Sequence, residues 1–206
     1  MRLDEGLGAL PLIAILRGLR PDEAVEVAGA LYEAGFRIVE VPLNSPSPLA
    51  SIERIAAQFG KRLVTGAGTV LDAASVDEVA RAGGRLIVSP NFNPDVVRAT
   101  REKGLASLPG VATPSEAFAA LAAGADAAKL FPAELITPAV LRSLRAVLPK
   151  SAKLIPVGGI TTANMAAYRE AGADGFGIGS ALFRPGNSVA EIAAAAAAFV
   201  AALRGV

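Results

Sequence analysis

Lys129 is the residue of this sequence best placed to do covalent chemistry. It lies inside the apolar run ADAAKLFP, near the carboxyl end of a strand-forming segment. The other four lysines, Lys61, Lys103, Lys150 and Lys153, stand near helix ends or strand starts, where water is within reach. Burying an ammonium costs on the order of several kcal/mol unless it is paired or neutralised. Desolvation lowers a lysine's pKa, and a neutral amine is a nucleophile toward carbonyls. From position alone, a structural ion pair is the alternative. Glu40 interrupts a second apolar run, RIVEVPLN, and faces the interior if Val39 and Val41 face the helices. A carboxylate there could simply bridge the ammonium, or it could carry protons as general acid and base.

Other polar groups fall at the ends of apolar segments. Arg17 ends ILRG, where a guanidinium could hold a carboxylate through two parallel hydrogen bonds or serve as an ordinary rim charge. Thr69, in TGAGTV, offers a hydroxyl beside glycines that let a ligand approach closely. Ser89-Pro90-Asn91 and Pro109-Gly110 end two further segments. The last two strand-like runs finish in PVGGIT and GIGSALF. Glycine turns after the seventh and eighth strands of a barrel expose bare N–H groups that suit a phosphate, making Gly158, Gly159, Gly179 and Ser180 the candidate contacts. The expected substrate is a small phosphorylated molecule with a carbonyl and, from Arg17, a carboxylate.

Composition excludes several other chemistries. There is no cysteine and no histidine, which removes disulfides, thiolate nucleophiles, the commonest general base and the usual transition-metal ligands. No metal and no cofactor is expected. The 20 basic and 19 acidic residues give a net charge of +1, and the basic ones are dispersed, so no nucleic-acid footprint is present. The amino end places acids where a secretory signal would need an uncharged apolar stretch, and no apolar run reaches membrane-spanning length. The sequence therefore reads as cytoplasmic, with no membrane partner.

The elements that must position these groups follow a loose repeat. A helix ends at a glycine, a few residues pass, and a β-branched run follows, with the glycines at 35, 60, 83, 104, 124 and 172. Glycine just past a helix adopts the left-handed conformation without steric penalty, so each marks a helix feeding a strand. With VLPKSAKLIPVGG filling the one doubled gap, eight strands are predicted, at about 12–17, 37–43, 62–67, 85–89, 105–109, 126–131, 153–158 and 175–179. Helix starts are predicted at Pro21-Asp22-Glu23, Pro94-Asp95, Thr113-Pro114-Ser115-Glu116 and Thr137-Pro138. The runs are continuously apolar, as expected for parallel strands covered on both faces. A solenoid would show a stricter consensus, and eight βα units in 206 residues suit closure better than an open sheet. The predicted fold is α/β, a compact (β/α)8 TIM barrel forming one domain over residues 1–206, with its active site at the carboxyl ends of the strands.

LIAILRG, VEVPLNSP, GAGTVL, IVSPN, PGVATPSEA, KLFPAE, PVGGIT and IGSALF occur in order along essentially the whole chain. In this order and spacing they resemble the class I 2-keto-3-deoxy-6-phosphogluconate and 6-phosphogalactonate aldolases. The resemblance implies a homotrimeric barrel that cleaves a six-carbon keto-acid phosphate to pyruvate and glyceraldehyde 3-phosphate. It makes Lys129 the Schiff-base lysine and Glu40 the acid/base acting through bound water. Arg17 and Thr69 would hold the pyruvate carboxylate, and Pro90 and Phe131 would shape the pocket. Gluconate-type members carry an arginine where this chain has Asn44. The VPLNSP version is similar to the galactonate type, with Arg17 supplying the lost charge, so the galactonate epimer is the expected substrate; the gluconate epimer, or both, is the alternative. A phosphate-barrel isomerase, epimerase or synthase, and a non-catalytic phosphosugar-binding barrel, are the rival readings.

Overall fold

The structure is a computed structural model and describes residues 1–205. Its strands are β1 (Leu12–Ile15), β2 (Ile38–Pro42), β3 (Val64–Gly68), β4 (Leu86–Val88), β5 (Ala106–Leu108), β6 (Gly110–Val111), β7 (Ala128–Leu130), β8 (Leu154–Pro156) and β9 (Phe176–Ile178). All their pairings are parallel. Helices connect successive strands except β5 and β6, which only Pro109 separates, giving an α/β fold with curled parallel sheets. The predicted strands fall within a few residues of the observed ones, and the six marker glycines all have positive φ, from 53° to 110°.

The pairing departs from eight continuous strands. Six strands pair in the order β5-β4-β3-β2-β1-β9 and three in the order β6-β7-β8. The predicted fifth strand does not stop at Pro109-Gly110. It breaks at Pro109 and resumes as β6, which pairs with β7 through Gly110 and Lys129. Proline has no N–H for the ladder, so the interruption falls where the chain must lose a hydrogen bond. On the other side, Val157 and Gly177 form an isolated parallel bridge between the ends of the two sheets.

Alternation along each strand separates two cores. Val39, Val41, Ala128 and Leu130 face the helix layer, together with Leu12, Ala14 and Ile178. Ile13, Ile15, Ile38, Val64, Leu86 and Ile155 form an inner cluster. Glu40 follows Ile38 on the inner face, and Lys129 follows Ala127 on it; both polar residues thus occupy inner positions by the two-residue period of a strand. An amino-terminal helix, α1 (Leu3–Ala9), places Leu3 and Leu7 in that inner cluster. Gly6 lets it approach, since a Cβ there would lie 2.8 Å from Ile38 Cγ1. This helix is not among those predicted from the sequence.

Helix starts follow local hydrogen bonding. Thr113 and Glu116 form a reciprocal capping box at α6 (Pro114–Ala122), as their spacing predicts. Proline opens α5 (Pro94–Glu102) and α7 (Pro138–Val147). At Pro21-Asp22-Glu23 the helix begins later, as α2 (Ala24–Glu33), and Arg20 engages both acids: its backbone N–H donates to Glu23 at 3.0 Å and its guanidinium to Asp22. The alanine-rich end forms α9 (Val189–Arg204), burying Ile192, Ala196, Phe199, Val200 and Leu203 along one face. No helix among the described residues is long and apolar enough to cross a membrane.

Candidate active site

Lys129 and Glu40 are buried, at 6% and 2% exposure. Lys129 sits mid-strand in β7, between Gly110 of β6 and Ile155 of β8. Glu40 sits in β2 between Ile15 of β1 and Gly66 of β3. The Lys129 ammonium stands 4.7 Å from the centroid of the Phe131 ring, a cation–π distance. Burial lowers the Lys129 pKa, and Arg17 adds to that, while Glu40 opposes it. Burial likewise pushes Glu40 up to about 7, against the pull of Lys129 and Arg17. Glu40 Oε2 has no hydrogen-bond partner. The pair thus combines an amine tilted toward its neutral form with a carboxyl poised to gain or lose a proton near neutral pH.

The neighbouring strand ends fit around this pair. A Cβ at Gly68 would overlap the Glu40 carboxylate, so a glycine is needed at the end of β3. Thr69, next in sequence, has a φ of 56°, a left-handed conformation that is uncommon for a β-branched residue. Gly110 backs Pro90 in the same manner, since a Cβ there would overlap the Pro90 carbonyl. Arg17 Nη1 donates to Asn44 Oδ1 at 2.7 Å, and the Gly18 N–H donates to Ser45 Oγ at 2.9 Å. These two bonds join the loops after β1 and β2, so the Arg17 side chain is held by the residue that sequence reasoning linked to it.

A cavity of about 490 Å³ opens at these strand ends. Arg17, Lys129 and Phe131 line one part of it, and Gly158, Gly159, Gly179 and Ser180 another. Seven of the eleven predicted site residues therefore share one cavity. Glu40, Asn44, Thr69 and Pro90 are not on its wall: Glu40 is buried beside the cavity's reactive end, and Asn44 reaches it only through Arg17. Gly158 and Gly159 have φ of 105° and 60°, so their turn requires glycine. Gly179 is different, because a Cβ there would meet nothing within 4 Å.

Sequence reasoning missed Glu134, Thr161 and Arg184, which also line the cavity. The usable signal for all three was their place in or beside quoted motifs, since Glu134 closes KLFPAE, Thr161 closes PVGGIT and Arg184 follows IGSALF. A larger cavity, about 570 Å³, opens at the opposite, amino-terminal ends of β3 and β5, beside Met1–Asp4 and Arg85. It holds no buried titratable pair of the Lys129–Glu40 kind, and residue chemistry rather than size decides which cavity is the candidate.

Parallel βα units that deliver a desolvated lysine and a protonatable carboxyl to one set of strand ends define an α/β enzyme. The chain belongs to the KDPG and KHG aldolase family, whose model matches residues 3–196. It is similar to the 2-dehydro-3-deoxy-6-phosphogalactonate aldolase of Escherichia coli (strain K12), at 49% identity over 195 residues and 95% of each chain. A solved native KDPGal structure superposes with a TM-score of 0.94 at 48% identity, over 95% of each chain. A cube-shaped, porous protein cage designed by fusing symmetric oligomeric domains superposes at 0.93 and 48% identity, over 95% of this chain and 73% of that one.

Proposed function

We propose that this protein is a class I aldolase cleaving 2-keto-3-deoxy-6-phosphogalactonate to pyruvate and glyceraldehyde 3-phosphate. The observation that carries the reading is the buried Lys129, lowered in pKa and set in the same field as the Glu40 carboxyl. The neutral amine adds to the C2 ketone, and loss of water leaves a protonated imine. The C3–C4 electron pair then flows into that imine to give an enamine. Glu40 takes the C4 hydroxyl proton through a water, so C4 leaves as the aldehyde carbon of glyceraldehyde 3-phosphate. The same carboxyl returns the proton to C3, and hydrolysis of the resulting imine frees pyruvate and Lys129.

Around this centre, Arg17 and Thr69 hold the substrate carboxylate, Asn44 fixes Arg17, and Pro90 and Phe131 shape the pyruvate pocket. Gly158, Gly159, Gly179 and Ser180 hold the phosphate. Neither packing nor backbone strain demands glycine at 179, so ligand approach is the remaining reason for it. The reaction needs no cofactor. We further infer that β5 and β6 act as one stave broken at Pro109, closing a (β/α)8 barrel as a single domain, and that the chain works as a homotrimer in the cytoplasm. The likeness to a cage built from symmetric oligomeric domains supports an oligomer.

Asn44, where gluconate-type relatives carry arginine, favours the galactonate epimer, as does the 49% identity to a galactonate-type relative. The two epimers differ in one hydroxyl configuration, a difference worth about 1–3 kcal/mol. Side-by-side cleavage rates should therefore favour the galactonate substrate by about 5- to 150-fold in kcat/KM. A gluconate preference overturns the substrate assignment. Gly68→Ala tests the pocket geometry: by pushing the Glu40 carboxylate aside, it should lower kcat by about 10- to 100-fold while pyruvate still forms an imine with Lys129. Unchanged kcat would show that Glu40 need not sit where it does.

A further inference from the structure

Glu134 is the only carboxylate lining the 490 Å³ cavity among the described residues, and the proposed reaction leaves it without a task. Its side chain lies across Gly158 and Gly159. A Cβ at Gly158 would overlap Glu134 Oε2, and one at Gly159 would sit 3.0 Å from its Cγ and 3.1 Å from its carboxyl carbon. A negative group therefore rests on the two glycines whose turn faces the cavity, where a phosphate would have to lie.

The backbone beside it is fixed and the side chain is not. The Ala133 N–H donates to the Val157 carbonyl at 2.8 Å, and Tyr168, itself buried, donates its hydroxyl to the Ala133 carbonyl at 2.7 Å. Glu134 itself is exposed. Its carboxylate can thus swing away by side-chain rotation alone while the turn keeps its shape. The cations lining the cavity, Arg17, Lys129 and Arg184, attract any anion that enters it. A carboxylate carries one charge, whereas a phosphate monoester carries about −1.5 to −2 and more acceptor oxygens. The two cannot share the cradle, because like charges in contact repel.

We propose that Glu134 is an internal competitor for the Gly158–Gly159 cradle, setting the affinity of phosphorylated ligands and hastening departure of the phosphorylated product. This rests on the reading of those glycines as the phosphate site. The test measures inhibition by inorganic phosphate, and KM for the phosphorylated keto acid, in the wild-type protein, Glu134→Gln and Glu134→Ala. Borohydride trapping of pyruvate on Lys129 reports that the reactive end of each variant is assembled. Both variants should lower the phosphate inhibition constant and KM by about three- to tenfold, the range for relieving one repulsion at a water-connected site. Constants that stay the same or rise in both variants, while phosphate still competes in the wild type, overturn the competitor role and leave the cradle standing. Failure of phosphate to compete in any of the three proteins removes the cradle itself, and the proposal with it.

Discussion

Lys129→Arg should abolish cleavage of the phosphorylated keto acid and the borohydride adduct with pyruvate together. Arginine keeps a positive charge, so it preserves whatever a buried cation contributes to Glu40. Its guanidinium stays protonated, however, and offers no lone pair to a carbonyl. If Lys129 were only half of an ion pair, or only an electrostatic anchor in an isomerase-type site, Arg would spare part of the activity. If it is the nucleophile, kcat should fall by roughly four orders of magnitude or more. Lys129→Met separates loss of chemistry from loss of fold. A buried ammonium replaced by an apolar chain of similar length leaves less to desolvate, and Glu40, which burial pushes up to about 7, stays protonated in mild acid once its partner is gone, so below pH 7 this variant should melt no lower than the wild type. A Lys129→Arg protein that retains a few per cent of wild-type kcat, or any adduct recovered in it, would sink imine formation at this residue.

Lys129 and Glu40 were legible because each breaks an apolar run, and a strand's two-residue period leaves few places for the side chain to go. The helix-ending glycines were legible because positive φ is costly for any other residue. The amino-terminal helix was not, since its seven residues include two glycines and propensity alone argues against it. It forms because Leu3 and Leu7 reach the inner strands and Gly6 permits close contact with Ile38, which are tertiary facts. The break at Pro109 was read as an end because proline stops a ladder locally, yet Gly110 and Val111 find a different neighbour in β7. The Arg17–Asn44 hydrogen bond spans two loops and entered the sequence reading only through resemblance. Glu134 stood inside the quoted KLFPAE run but carried no role there. A charged residue just past a strand looks like ordinary surface until the fold lays it over two glycines from another loop.

Glu40→Gln should separate catalysis from stability in opposite directions. The amide keeps the side chain's shape but cannot take the C4 proton, and loss of a positioned acid/base costs about 10²–10⁴ in kcat. The Lys129 amine remains, so pyruvate should still be trapped on it. In the wild type, cleavage should rise with pH through about 7 as Glu40 ionises, and that limb should vanish in the variant. Stability follows the same titration. The folded-state pKa of Glu40 lies above the ordinary carboxyl value of 4.5, so between that value and about 7 the folded chain holds a proton the unfolded chain has lost. Folding stability from this group is therefore full in acid and declines as pH rises across that window. Removing the ionisation should make Glu40→Gln more stable than the wild type above pH 7, by about 1–3 kcal/mol, with little gain at pH 5. Denaturant melts of both proteins at the two pH values read this directly. A buried carboxyl kept for packing alone would give no loss of kcat on becoming an amide. One held mainly as the partner of an ionised Lys129 would destabilise the fold when lost. A fall in rate joined to a rise in stability at high pH belongs to a carboxyl that the fold tolerates for its proton.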